Sequence, residues 1–132
     1  MKKPILITSA SLDEHAYGPV RKILEERDFP VSVYLTDKVL SNEEPFCVAF
    51  NSEGELAIDY NGISISPESI GAAWFRKLGN YDQSESLKDL SKHLYLNNEL
   101  RHFHDTIWGL YPDELWLNSP DNISKADQKI FV

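Results

Sequence analysis

Apolar and polar positions at the start of the chain follow the pattern of a β-α-β unit. Residues 5–7 form a short β-branched run typical of a buried strand. Pro19 suits the first turn of a helix, where its missing N–H costs nothing, and apolar residues follow it at helical spacing up to Asp28. Residues 31–35 have the two-residue alternation of a second strand. Crossovers of this kind are right-handed, so we expect the two strands to lie parallel.

A different pattern occupies residues 45–66. Polar turns separate three short apolar segments, residues 46–50, 56–60 and 63–65. The turn before the third segment is Asn61-Gly62, a strong hairpin signal because both central residues of a type I′ turn need a positive φ. The sequence therefore predicts an antiparallel β-meander inserted into the α/β frame. A further buried strand is expected at residues 72–75, ending at Arg76.

Residues 84–111 contain no proline and are predicted to be helical, but their apolar stripe changes phase. One face carries Leu87, Leu90 and Leu94, and a face roughly opposite carries Leu96, Leu100, Phe103, Ile107 and Leu110. Two interpretations follow. Either the helix breaks near Tyr95 and both halves pack in one core, or one face contacts another subunit or another domain.

The C-terminal segment begins with an apolar run at residues 115–117, predicted as a last short strand. Asn118-Ser119-Pro120 follows, and a cap residue with a nearby proline is typical of a helix start. The chain finishes in three apolar residues, 130–132, which have little reason to face water. We therefore expect either a truncated chain or a segment that continues into another domain.

Size and charge narrow the class of protein. The 132 residues suit one domain with a single core. The formal net charge of -8 argues against nucleic-acid binding, which needs a surface rich in Lys and Arg. The apolar run at residues 4–7 is too short for a signal peptide, and no stretch reaches the roughly 18 apolar residues of a membrane span. We expect a cytoplasmic protein that binds neither nucleic acid nor membrane.

Cysteine and histidine give little support for a metal site. Cys47 has no second cysteine with which to form an internal disulfide or a multi-cysteine site, and its apolar neighbours predict a buried structural thiol. His102 and His104 are two residues apart, so on a helix they point about 200° away from each other and cannot share one ion. The sequence therefore predicts no metal site.

Candidate binding residues follow the ends of two predicted strands. No glycine-rich phosphate loop is present, which argues against an unaided nucleotide site. Ser9 ends the first strand, where it faces either a ligand at the carboxyl edge of the sheet or only its own turn. His15, close to Asp13, is either a ligand-binding or pH-sensitive residue or an ordinary loop histidine. Arg76 either binds a carboxylate or phosphate bidentately or forms a structural ion pair.

The two ends of the chain together resemble one family. Residues 5–15, with a small-residue turn and Asp13-x-His15, resemble the opening of ATP-grasp peptide maturases. These RimK-like enzymes of ribosomal peptide (RiPP) biosynthesis build ester and amide cross-links in graspetides of the microviridin type. Residues 73–77 are similar to the family's aromatic-Arg-Arg-Pro segment, although here a lysine replaces the second arginine and a leucine replaces the proline.

The C-terminal segment is similar to the junction that precedes the ATP-grasp domain in this family. In that junction an Asn-x-Pro element is followed by a lysine, and the matching positions here are Asn118, Pro120 and Lys129. The same junction is shared more widely among RimK-like and glutathione-synthetase-like ligases. The resemblance implies a single pre-ATP-grasp domain over residues 1–132, with the junction at about residues 118–132.

The resemblance implies a Rossmann-like α/β fold, a mainly parallel sheet flanked by helices with the antiparallel meander inserted. The parent enzyme would use ATP and Mg²⁺ to phosphorylate a carboxylate, which an amine or a hydroxyl then attacks. In the family the residues for that chemistry lie downstream of the segment matched here, so no catalytic residue is assigned and this chain is expected to bind no cofactor itself. It would supply one wall of the substrate cleft, with Ser9, Asp13, His15 and Arg76 as the substrate-binding candidates.

Three partners follow from this hypothesis: an ATP-grasp domain of the same polypeptide, a peptide substrate and a second copy of the chain. The alternative hypothesis is a stand-alone, non-catalytic binding or dimerisation module with the same fold. A gene that continues past Val132 with a glycine-rich lid and metal-binding acidic residues would exclude that alternative.

Overall fold

The computed structural model describes residues 2–40, 43–76 and 90–118. The strands are β1 (Ile5–Ser9), β2 (Val31–Leu35), β3 (Phe46–Phe50), β4 (Leu56–Tyr60), β5 (Ile63–Ser64) and β6 (Ala72–Phe75). The helices are α1 (Glu14–Glu26), α2 (Thr36–Leu40) and α3 (Leu90–Gly109). Short 3₁₀ turns lie at Ser11–Asp13, Pro67–Ser69 and Asp113–Leu115. The strands form two sheets, a parallel one in the order β2-β1-β6 and an antiparallel one in the order β3-β4-β5.

The parallel sheet confirms the predicted β-α-β unit. β1 is the central strand, and its Ile7 pairs with Val33 on one side and Trp74 on the other. The predicted start of the first helix is wrong, because α1 begins at Glu14 and Pro19 lies inside it. Pro19 removes the N–H that would bond to the carbonyl of His15. Both residues are exposed, so water can bond that carbonyl instead.

The β-meander is confirmed as a separate antiparallel sheet. Asn61 and Gly62 have φ values of 51° and 81°, the left-handed pair that a type I′ turn requires. The predicted burial of Cys47 is wrong, because its side chain is exposed. The reason is strand alternation: Phe46 and Val48 pack against the core from one face of β3, so Cys47 between them points to the other face.

Helix α3 packs against an aromatic core centred on Tyr34. Leu100, Ile107 and Trp108 of α3 are buried, and the Trp108 ring meets that of Tyr34 edge-on at 5.3 Å. The predicted break near Tyr95 is wrong, because α3 is continuous through that residue. Instead, the face that carries Leu94 is exposed to solvent in the first turns of the helix. The earlier part of the predicted helix, residues 84–89, lies outside the described residues.

The predicted strand at residues 115–117 is reduced to one bridge. Trp116 pairs in parallel with Ala73 of β6, and the Leu117 N–H donates to the Ala73 carbonyl at 2.9 Å. Leu115 instead ends a 3₁₀ turn that begins just after Pro112, a residue that favours such turns. The helix predicted to start at residues 119–120 lies outside the described part of the chain.

Candidate functional site at the carboxyl edge of the parallel sheet

The three parallel strands end side by side, and polar residues follow each end. β1 ends at Ser9, β2 is followed by Thr36 and β6 is followed by Arg76. Parallel pairing places all three carboxyl ends at one edge of the sheet, where open α/β folds bind their ligands. This edge is the candidate functional site.

Asp13 is the centre of this site. Its carboxylate is 4% exposed; Oδ2 accepts a 2.7 Å hydrogen bond from the Ser9 hydroxyl and lies 3.1 Å from Nε of Arg76. The 3₁₀ turn after β1 brings Asp13 back over the strand end, with the Asp13 N–H donating to the Ala10 carbonyl at 3.0 Å. Asp13 stands at the N-cap of α1 but makes no capping bond, because its oxygen is committed to Ser9 and Arg76.

Arg76 is held by its backbone and by one edge of its guanidinium. Its N–H donates to the Thr8 carbonyl at 2.9 Å, which continues the pairing with β1 beyond the end of β6. Its side chain is 42% exposed. Asp13 meets Nε, and the two terminal nitrogens form the separate, end-on edge of the guanidinium. They are suited to a planar, bidentate contact with a ligand carboxylate.

The end of β2 completes the edge. The Thr36 hydroxyl donates to the Ser9 carbonyl at 3.3 Å, and Asp37 Oδ1 accepts the Ser11 N–H at 2.9 Å. The Ser11 hydroxyl oxygen is buried and has no hydrogen-bond partner among the described residues. A buried hydroxyl without a partner is costly, so Ser11 is a group that a ligand could satisfy. Sequence analysis missed Thr36 and Asp37, although both directly follow a predicted parallel strand.

The predicted substrate-binding residues do not all meet. Ser9, Asp13 and Arg76 form one connected cluster. His15 is exposed on the first turn of α1, and its Nδ1 lies 3.2 Å from the Leu12 carbonyl instead of reaching the cluster. A role for any of these residues in substrate binding stays a prediction.

Of the three predicted junction residues, the structure describes Asn118, whose side chain bonds to the last residue of β6. Its Oδ1 accepts the Phe75 N–H at 3.1 Å, and its Nδ2 donates to the Phe75 carbonyl at 2.8 Å. The side-chain amide therefore makes the two backbone hydrogen bonds that a residue of a neighbouring strand would make. Pro120 and Lys129, the other junction residues of the prediction, lie outside the described ranges.

Two carboxylates and one guanidinium are the charged groups described at this edge of the sheet. Asp13 is paired with Arg76, and Asp37 Oδ1 accepts the Ser11 N–H. In the described part of the chain, no group of three His, Cys, Asp or Glu side chains is arranged to hold a metal ion. The described helices also include none that is long and apolar enough to cross a membrane.

Sequence analysis also missed a buried polar pair in the core. The Tyr34 hydroxyl lies 2.6 Å from His104 Nε2, and His104 Nδ1 lies 3.0 Å from the Leu100 carbonyl. Since a carbonyl only accepts, Nδ1 carries the ring proton and Nε2 accepts from Tyr34. Burial lowers the pKa of His104 to about 4 and raises the pKa of Tyr34. The pair is neutral and joins β2 to α3.

Several solved structures share this fold. Macrocyclase MdnB from Microcystis aeruginosa MRC matches with a TM-score of 0.70 and 22% identity over 94% of this chain and 40% of its own. Macrocyclase MdnC from the same organism, bound with precursor peptide MdnA, matches with a TM-score of 0.70 and 18% identity over 97% and 41%. A RiPP-associated ATP-grasp ligase of Chryseobacterium gregarium was solved in complex with ADP and a leader and core peptide. It matches with a TM-score of 0.67 and 18% identity over 98% of this chain and 38% of its own.

These matches show that the chain shares its α/β fold with two macrocyclases and a RiPP-associated ATP-grasp ligase, as the sequence resemblance implied. At 18% to 22% identity they show a shared fold and no more. The chain spans about two fifths of the length of these structures. No protein-family model and no curated protein sequence matches the chain.

Proposed function

We propose that this chain is the N-terminal, Rossmann-like pre-ATP-grasp domain of an ATP-dependent ligase that modifies peptides. The ligase would join a carboxylate to an amine or to a hydroxyl, and this domain would form one wall of the substrate cleft. The observation that carries the proposal is the fold shared with two macrocyclases and a RiPP-associated ATP-grasp ligase, two of which were solved with a peptide bound.

The carboxyl-edge cluster gives the proposed cleft wall its chemistry. Arg76 would bind a side-chain carboxylate of the peptide through its terminal nitrogens, because Nε is already fixed by Asp13. Asp13 and Ser9 act as positioning residues, since they hold the guanidinium in one orientation. The Ser11 hydroxyl is a further donor at the same edge. This chain would bind and orient the carboxylate and would not activate it.

Peptide binding by the intact chain tests this role. The chain carries a net charge of -8, so a blocked, short peptide with a single glutamate is the suitable probe, compared with its glutamine counterpart. We expect the glutamate peptide to bind more tightly, and Arg76→Gln to remove the difference, a change of about 1.5–3 kcal/mol for a charged hydrogen bond. Equal binding of both peptides to the wild-type chain would refute the assigned role of Arg76.

A stand-alone binding or dimerisation module is the second candidate function. It is favoured by Leu94 and Tyr95, which leave large apolar surfaces 60% and 63% exposed on α3. Sedimentation of the wild-type chain and of Leu94→Lys tests whether this surface joins two copies of the chain. A dimer that the substitution dissociates supports the module, and a monomer in both samples removes its main support.

A further inference from the structure

A groove of about 310 Å³ lies beside β2, on the side opposite β1. Its walls come from three elements: Arg21 on α1, Val33 on β2 and Ile63 on the β4–β5 hairpin are among the residues that line it. The groove is distinct from the carboxyl-edge cluster, because Ser9, Asp13 and Arg76 do not line it.

The floor of the groove is a strand edge. β2 is an end strand of the parallel sheet. The Ile5 N–H donates to the Pro30 carbonyl at 2.9 Å, and in a parallel ladder alternate residues then turn toward β1. Val31, Val33 and Leu35 therefore direct their backbone N–H and C=O groups into the groove. The Leu35 N–H donates to the Tyr60 hydroxyl at 3.4 Å, which confirms that direction.

Arg21 and Glu44 are the charged residues that line the groove. One carboxylate oxygen of Glu44, Oε2, is buried and has no hydrogen-bond partner among the described residues. Arg21 is already paired with Glu25 at 2.9 Å, so its charge is offset. A buried carboxylate oxygen without a donor is costly, and a positively charged group in the groove would remove that cost.

We propose that an extended peptide segment binds in this groove as an added strand beside β2, with a lysine or arginine side chain bonded to Glu44. Backbone hydrogen bonds to a free strand edge accept any extended peptide, and the flanking pockets select its side chains. From Val31 to Leu35 the edge is about 13 Å long at roughly 3.3 Å per residue, and because the Leu35 N–H is already bonded to Tyr60 it fits about four peptide residues. The proposal relies on the proposed function for the peptide class of ligand and uses a different surface to hold it.

The test is a titration of the intact chain with a blocked pentapeptide of valine and threonine around a central lysine. Backbone amide shifts in NMR spectra report where it binds, and we expect them at Val31 and Val33. Glu44→Gln keeps the shape of the side chain and should weaken binding about tenfold, because a charge-assisted hydrogen bond is lost. Glu53→Gln, on the exposed β3–β4 turn outside the groove, is the matched control and should bind as the wild type does.

A second variant keeps the test independent of charge. Val33→Pro removes an N–H that faces the groove and leaves the bonds to β1 in place, a position where edge strands tolerate proline. Circular dichroism checks its fold, and Glu44→Gln answers the question if the proline variant unfolds. The lysine peptide should bind at least tenfold more weakly to the folded proline variant. A peptide methylated at alternate backbone nitrogens should show the same loss with the wild-type chain.

Three outcomes would overturn the proposal: absence of binding, equal binding of a glutamine-centred peptide, or an affinity unchanged by Glu44→Gln. If Arg76→Gln abolished lysine-peptide binding while Glu44→Gln did not, the peptide would lie at the carboxyl edge. That result would reject the groove and leave the proposed function standing. Equal binding of the glutamate and glutamine peptides to the wild-type chain, with normal lysine-peptide binding, would reject the assigned role of Arg76 and leave the groove standing.

Discussion

The Tyr34 hydroxyl donates a 2.6 Å hydrogen bond to His104 Nε2 and so links the edge strand β2 to α3 inside the core. Both side chains are fully buried, at 0% and 1% exposure. A neutral imidazole satisfies both of its nitrogens in this arrangement, whereas a charged one would present an N–H to a hydroxyl that already donates. The geometry of the core therefore depends on the protonation of one histidine.

This dependence predicts acid instability. The pKa of His104 is lowered by burial to about 4, below the ordinary value of 6.5, so between these values the unfolded chain binds a proton that the folded chain does not. The contribution of neutral His104 to the free energy of unfolding is fully present above about pH 6.5. It falls by roughly 3 kcal/mol as the pH drops toward 4.

Urea unfolding between pH 7 and pH 4 measures this effect. His102→Gln, which changes an exposed histidine on the same helix, should leave the pH profile as it is. His104→Gln should flatten the profile between pH 6.5 and 4 while lowering stability at pH 7. An equally steep profile in the His104 variant would show that another group causes the acid instability.

Asn118 gives a prediction about the end of β6. Asn118→Ala removes two hydrogen bonds to Phe75 and should cost about 1–2 kcal/mol of unfolding free energy. Asn98→Ala, at an exposed position of α3, serves as the control and should cost little. Thermal unfolding compares the two variants. Equal midpoints for Asn118→Ala and the wild type would show that the side-chain clamp contributes nothing.

The pair of Asp13 and Arg76 is expected to be coupled. A double-mutant cycle with Asp13→Asn and Arg76→Gln should give a coupling energy of about 1 kcal/mol, a modest value because Arg76 is partly exposed and screened by water. Asp59→Asn combined with Arg76→Gln is the control cycle, since Asp59 lies exposed on β4. Additive effects in the first cycle would mean that Asp13 does not hold the guanidinium.

Replacing Asp28, which lies just after the end of α1, by glycine should raise the stability of the chain. Asp28 has a φ of 64°, in the left-handed region that a residue with a Cβ adopts only at a cost. Asp28→Gly should raise the unfolding free energy by about 0.5–1 kcal/mol, whereas Asp28→Val should lower it. Chemical denaturation of the three proteins checks the order. If the glycine variant were the least stable, a carboxylate contact would outweigh the backbone strain.

Sequence periodicity predicted the strands well because each of them is short and bounded by turn residues. The Asn61-Gly62 turn shows this most clearly, since its backbone requirement is local and the structure meets it. The errors arose where tertiary contacts decide the start of a helix or the burial of a side chain. Pro19 is tolerated inside a helix because its surroundings are exposed, and Cys47 is exposed because only one face of β3 meets the core.

The candidate site was predictable only in part. Ser9 and Arg76 could be placed at one edge because strands predicted to be parallel end there. Their connection through Asp13 depends on a 3₁₀ turn whose path the sequence does not specify. His104 was considered only as half of a metal pair, because its partner Tyr34 is 70 residues away along the chain. Long-range pairs of this kind carry no local periodic signal.

The most direct test of the proposed function is an assay for ATP-dependent peptide condensation. The protein expressed from the complete reading frame would be incubated with ATP, Mg²⁺ and a peptide rich in glutamate, lysine, serine and threonine, and the peptide mass followed. We predict loss of one water for each bond formed, only with ATP, and a raised KM in the Arg76→Gln variant. A peptide of unchanged mass under all conditions would contradict the proposal that this chain is part of a peptide ligase.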